Sequence, residues 1–273
     1  MKFLTSRDNP HFKALRKLVH RGQQRRQSGL AVLDGLHLVE SCCQHCSSPS
    51  EVIVSESGAR REEIVAWLAA AGPSMRIVSL TDALFNELSV VDTPSGIMAV
   101  IQPPTPSPLD IAADCLLLDG IQDPGNLGSM LRSAAAAGFS QVLLSDDCAQ
   151  AWSPKTLRAA MGAHFVLSIH ETVDLPAFMA RYRGQMLATA SAAAHNLFAA
   201  DLGTPLAWIF GSEGQGIRPA VLAASSGQIR IPMSAAMESL NVAAAAAICL
   251  FETCRQRQTS GKALSTGMQA AIA

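Results

Sequence analysis

Apolar residues recur at helical spacing near the start of the chain. Phe12, Leu15, Leu18 and Val19 fall on one stripe and the charged residues on the others, which predicts a single amphipathic helix over 2–28. Beyond Gly29 the pattern changes to short apolar runs separated by amphipathic stretches. Positions 30–35 read as a strand and turn, 36–46 as a helix, and 52–54 as a strand. Positions 62–71 read as a helix that Gly72 and Pro73 terminate. Strands at 75–78 and 96–101 flank a short helix at 82–88, which makes 29–101 a small α/β unit.

Positions 102–108 hold four prolines. Such a segment suits neither sheet nor helix and favours a stiff, extended connector, so the domain boundary is expected there. From Cys115 the pattern is strand, glycine turn, helix, repeated. The run Cys115-Leu116-Leu117-Leu118 has no polar position, as in a parallel strand buried on both faces. Strands are expected at 141–145, 165–169, 186–189, 207–210 and 228–231, and helices at 126–137, 154–161 and 174–182. An alanine-rich helix follows Asn241. The alternation predicts an α/β domain over 109–257 with a mainly parallel sheet, and a frayed tail over 258–273.

Composition adds little until charge is followed along the chain. The 273 residues are 49% hydrophobic and 16% charged, which describes a folded protein with a substantial core. Net charge is −1, yet residues 1–28 carry eight Lys and Arg against Asp8 alone, leaving 13 basic and 21 acidic residues to the rest. A basic N-terminal extension on an acidic body is either a footprint for a polyanion or a solvated helix face. The seven cysteines, with no secretory apolar segment ahead of them, imply reduced thiols and a cytoplasmic setting. Cys42, Cys43, His45 and Cys46 cluster without the second ligand pair that zinc needs, so no metal is expected. The longest apolar run, 242–251, is too short for a bilayer.

Three glycine-bearing or proline-bearing turns hold the candidate chemistry. In the first, Asp123-Pro124-Gly125-Asn126 leads into a helix that Asn126 can cap, with Arg132 two turns further on. It reads either as a cap with a surface arginine or as a turn facing a substrate. In the second, Gly211-Ser212-Glu213-Gly214-Gln215-Gly216 follows a strand but lacks the dinucleotide-binding spacing. Glu213 is poorly placed there for packing. In the third, Ile231-Pro232-Met233 ends a strand, and Ser239-Leu240-Asn241 opens the last helix, where Ser and Asn suit an N-cap.

Taken together and in this order, the three turns resemble the motifs of the SpoU/TrmH family of RNA ribose 2′-O-methyltransferases, of the SPOUT class, over 115–252. Residues 29–101 also resemble the family's small α/β substrate-binding domain. Leu4-Thr5-Ser6-Arg7-Asp8-Asn9-Pro10 with the basic helix resembles the extension of members acting on ribosomal RNA. The resemblance implies a C-terminal domain with a deep trefoil knot, a homodimer, and S-adenosylmethionine held by Thr189, Gly211, Ile231, Met233 and Leu240. By the same resemblance Arg132, Asn126, Glu213, Ser239 and Asn241 form the catalytic group. An arginine hardly ever releases its proton. Arg132 therefore suits phosphate binding and support of a developing alkoxide, and Glu213, the one carboxylate, is the alternative base. Ribosomal RNA is favoured as substrate over tRNA. The competing readings are a non-catalytic RNA-binding protein and a conventional Rossmann enzyme, and the missing fingerprint weighs against the second.

Overall fold

The computed structural model describes residues 2–72, 75–234 and 236–259. It divides into two compact units, Met1–Thr105 with Trp152–Phe165, and Pro106–Ala151 with Val166–Ala273.

The first unit is a five-stranded sheet, β1 (Lys2–Leu4), β2 (Ala31–Asp34), β3 (Glu51–Ser55), β4 (Ile77–Leu80) and β5 (Ile97–Ile101), in the order β1-β4-β3-β5-β2. Strands β1, β4 and β3 run parallel, and β5 is antiparallel to both β3 and β2. Alternation along each strand feeds two cores. Val32, Ile53, Val78 and Val100 pack with helices α1 (Pro10–His20) and α5 (Asp82–Leu88). Leu33, Val52, Val54 and Ala99 pack with α3 (Leu36–His45) and α4 (Glu62–Ala70) on the other face. Leu157 and Phe165, at and just beyond α7 (Pro154–Ala160), complete that second core.

The single helix expected over 2–28 is instead a strand and two helices. Asn9 caps α1 through its side chain, which accepts from His11 N–H at 2.9 Å, and Pro10 starts the helix. Residues 2–4 are thereby released to pair with β4. Arg21 is extended and breaks α1 from α2 (Gly22–Ser28), while Arg25 Nη1 donates to the Leu18 and Val19 carbonyls left open at the end of α1. Gly29, at φ +64°, ends α2. Phe12, Leu15, Leu18 and Val19 are all buried, so the basic segment is part of the unit's core.

The second unit is a seven-stranded sheet with every pair parallel. Its strands are β6 (Cys115–Asp119), β7 (Gln141–Leu144), β8 (Ser168–His170), β9 (Gln185–Thr189), β10 (His195–Asn196), β11 (Leu206–Gly211) and β12 (Gly227–Arg230), in the order β10-β12-β9-β11-β6-β7-β8. The central strands are buried along their length, as the apolar run at 115–118 predicts. Leu117, Leu143, Ala188 and Ile209 pack with α8 (Leu175–Met179) and with Val221 of α9 (Pro219–Ala224). Helix α6 (Pro124–Ala136) packs on α10 (Val242–Thr259), and Trp208 of β11 donates to Thr253 of α10 at 3.1 Å. The strand expected over 165–169 shrinks to β8, because 163–165 forms a 3-10 turn. The two-residue β10 carries no period-2 signal of its own. Residues 260–273, most of the tail expected over 258–273, lie outside the described residues. Among the described residues no helix is long and apolar enough to cross a membrane.

Candidate active site

In a parallel sheet the strands' C-terminal ends share one edge, and the turns leaving them converge there. Here β6, β9, β11 and β12 bring four such turns together. Register places Gly211 of β11 beside Asp119 of β6, and Ile229 of β12 beside Thr189 of β9. A cavity of about 350 Å³ opens at this edge. Ile217, Ile229, Ile231, Met233 and Leu240 supply its apolar wall, and Thr189, Ser191, Ser212, Glu213, Ser239 and Asn241 its polar positions.

The turn after β6 is built by its cap. Asp123 accepts from Asn126 N–H at 2.7 Å, and Pro124 begins α6. This corrects the sequence reading, in which Asn126 is the cap. Asn126 sits in the first turn of the helix with its side chain free for other work. A Cβ on Gly125 would lie 3.0 Å from the capping carboxylate, so the glycine leaves room for the cap. The Asn126 amide donates to Glu213 Oε1, and its oxygen accepts from Asn241 Nδ2 at 2.9 Å. Three turns spread over 115 residues of sequence thus meet in one hydrogen-bonded chain.

The turn after β11 closes tightly on itself. Ser212 and Gly216 exchange backbone hydrogen bonds of 3.2 and 2.9 Å. A Cβ on Gly211 would stand 2.2 Å from the Gly216 carbonyl carbon, and Gly216 is at φ +68°, so both positions require glycine. Arg218, just past the turn, is bound to the buried carboxylate of Asp119. Its N–H and Nε donate to Oδ2 and Oδ1, each at 2.7 Å, and Nη2 lies 2.6 Å from Oδ1. That hydrogen bond raises the Arg218 pKa above its already high ordinary value. The pair was not foreseen from sequence. Its one local signal is a charged residue ending the apolar run at 115–118.

Asn241 caps α10, accepting from Ala243 and Ala244 N–H at 3.0 and 3.2 Å. Of the ten residues singled out in the sequence, Thr189, Gly211, Ile231, Met233, Leu240, Glu213, Ser239 and Asn241 line the cavity, and Asn126 is hydrogen-bonded to two of them. Arg132 stands apart. Its side chain is exposed and belongs to none of the side-chain hydrogen bonds or ion pairs among the described residues. Six residues beyond Asn126, it points about 120° around the helix from it.

Among the described residues no group of three His, Cys, Asp or Glu side chains is arranged for a metal ion. In the cysteine cluster, Cys42 is buried against Ser47 O, and burial pushes its thiol up to about 12.

Comparison with known proteins follows the same division. The SpoU rRNA Methylase family profile matches residues 114–251, which span the sheet, all three turns and most of α10. This chain belongs to the SpoU rRNA methylase family. An MRM3-like substrate binding domain matches residues 9–99 and takes in α1 and α2. The 23S rRNA (guanosine(2553)-2′-O)-methyltransferase RlmP of Bacillus subtilis is 31% identical, over 92% of this chain and 98% of its own. A crystal structure of an RNA 2′-O ribose methyltransferase aligns at 30% identity and TM-score 0.80, covering 94% of this chain and 99% of its own. An AdoMet-bound rRNA methyltransferase from Sinorhizobium meliloti aligns at 26% identity and TM-score 0.79, over 93% and 97% of the two chains.

Proposed function

We propose that this SpoU-family chain transfers the methyl group of S-adenosylmethionine to a ribose 2′-hydroxyl of ribosomal RNA. The observation that carries the reading is the meeting of Asn126, Glu213 and Asn241 at the rim of a cavity with an aliphatic wall and hydroxyl-bearing ends. That lining fits the cofactor. Ile231, Met233 and Leu240 suit a heterocycle, Thr189 and the Gly211 backbone suit polar atoms, and 350 Å³ is an ordinary size for such a ligand site. When bound, the cofactor supplies an electrophilic methyl on a sulfonium, so the protein's task is mainly positioning.

In this reading Asn126 and Asn241 orient the ribose, with Ser239 beside them. Glu213 accepts the proton of the 2′-hydroxyl, being the carboxylate within their network. Arg132 binds the adjacent phosphate and supports the developing alkoxide, since a guanidinium keeps its proton. Its phase on α6 points away from the chain's own Asn126, which supports a homodimer in which the arginine of one copy completes the site of the other. Ile248 and Phe251, adjacent on α10 and 36% and 49% exposed, give such a dimer an apolar contact. The last segment of the C-terminal domain is the part of the chain that the family's trefoil knot would thread. The first unit holds the RNA, and the reaction takes place in the cytoplasm.

The test is transfer from methyl-labelled S-adenosylmethionine to unmodified ribosomal RNA and, separately, to tRNA. Label in ribosomal RNA alone is expected. Label in tRNA alone would contradict the substrate class, and label in neither would contradict the activity.

A further inference from the structure

Asp119 stands at the root of both turns that form the proposed centre. Its backbone is in register with Gly211, where the turn after β11 begins. Its carboxylate holds the N–H and guanidinium of Arg218, where that turn ends. The six residues 212–217 therefore leave from Asp119 and return to it. Four residues past Asp119 lies Asp123, the cap that sets the direction of α6 and of Asn126. Glu213 is on one of these turns and Asn126 on the other, and they meet.

The Asp119 side chain is fully buried, whereas Arg218 is 45% exposed. Desolvating a carboxylate is costly, and an ion pair of this kind seldom adds net stability over an apolar pair of the same shape. It does fix geometry, because a carboxylate matched by three donors admits few other arrangements. The Gly211–Gly216 contact makes the turn compact but does not aim it. The anchoring of Arg218 supplies the aim. Arg218 Nη1 also stands 3.7 Å from Asp146, just past β7, so three adjacent strand ends are tied to one guanidinium.

We propose that Asp119 and Arg218 form a positioning pair for the methyl-transfer centre. Asp119 clamps both ends of the turn carrying Glu213 and sets the separation of Glu213 from Asn126, without either residue touching substrate. The inference rests on the proposed function for its catalytic consequence, while the clamping itself is readable without activity.

Two measurements on the full chain test it, using Arg218→Ala, Arg218→Lys and Asp119→Asn. The first is amide hydrogen exchange. Arg218→Ala is expected to speed exchange in 211–218 and 123–128 while leaving β3 and α1 as in the parent; Asp119→Asn does the same more weakly. Unchanged exchange in both segments would overturn the pair as a clamp, and faster exchange everywhere would make it a general stability element instead. The second is steady-state transfer to ribosomal RNA. Arg218→Ala is expected to lower kcat about 10- to 100-fold with KM for RNA unchanged, and Arg218→Lys is expected to recover part of the loss. Asp119→Asn combined with Arg218→Ala is expected to be no slower than Arg218→Ala alone, as befits two halves of one interaction. Parent-like rates in Arg218→Ala, or additive losses in the double variant, would overturn the positioning role. If the parent chain itself transfers no methyl to any RNA, the proposed function fails, and the exchange result still decides the clamp.

Discussion

Asn126 can face two other turns because it does not cap its own helix. Asp123 takes that role, and the Asn126 amide is left to bridge Glu213 and Asn241. Arg132, by contrast, stands on another side of α6 and outside that network. If it completes the site of a second copy, two inactive variants should rescue each other. Mixing Arg132→Ala with Asn241→Ala restores one intact centre per mixed dimer, about a quarter of parental activity after random exchange. Measured activity no higher than either variant alone would place Arg132 in its own chain's site. The motif residues were legible because their types are conspicuous: a carboxylate between glycines, an asparagine after a turn, an arginine where a helix has no need of one. Asp119 and Arg218 were not, since their pairing joins positions 99 residues apart and neither leaves a local pattern.

At the scale of elements, the apolar stripe at Phe12, Leu15, Leu18 and Val19 gave α1 its buried face, but the break at Arg21 and the strand at 2–4 were hidden. The break depends on Arg25 meeting the open carbonyls of α1, and the strand on β4 offering an edge. The basic segment is accordingly core and surface at once. Arg7 and Arg16 pair with Glu87, and Lys13 with Asp8. Lys17, Arg21 and Arg26 are exposed and outside the ion pairs among the described residues. Reversing those three to Glu should weaken RNA binding and flatten its dependence on salt, each lost phosphate contact reducing the slope by about 0.7–0.9. The measurement is a series of binding titrations across salt concentrations. An unchanged slope would mean that α1 and α2 do not touch RNA. Truncating the segment would confuse the question, because loss of buried Phe12 alone should cost about 3 kcal/mol or more.

Across the whole molecule the alternation of apolar runs and amphipathic stretches was enough to predict α/β units and a parallel sheet. Parallel strands buried on both faces write themselves into sequence as unbroken apolar runs. What does not show there is that Trp152–Phe165, between two strands of the second unit, packs in the first. Nor does the order of the seven strands, which depends on crossovers between distant segments. It is this order that brings four strand ends to one edge and makes three unremarkable turns into one site. The central claim is that the site acts on a ribose oxygen, and alkaline hydrolysis of labelled ribosomal RNA tests it directly. A 2′-O-methyl ribose cannot attack its neighbouring phosphate, so the account predicts label in an alkali-resistant dinucleotide. Label recovered in mononucleotides would place the methyl group on a base and contradict it.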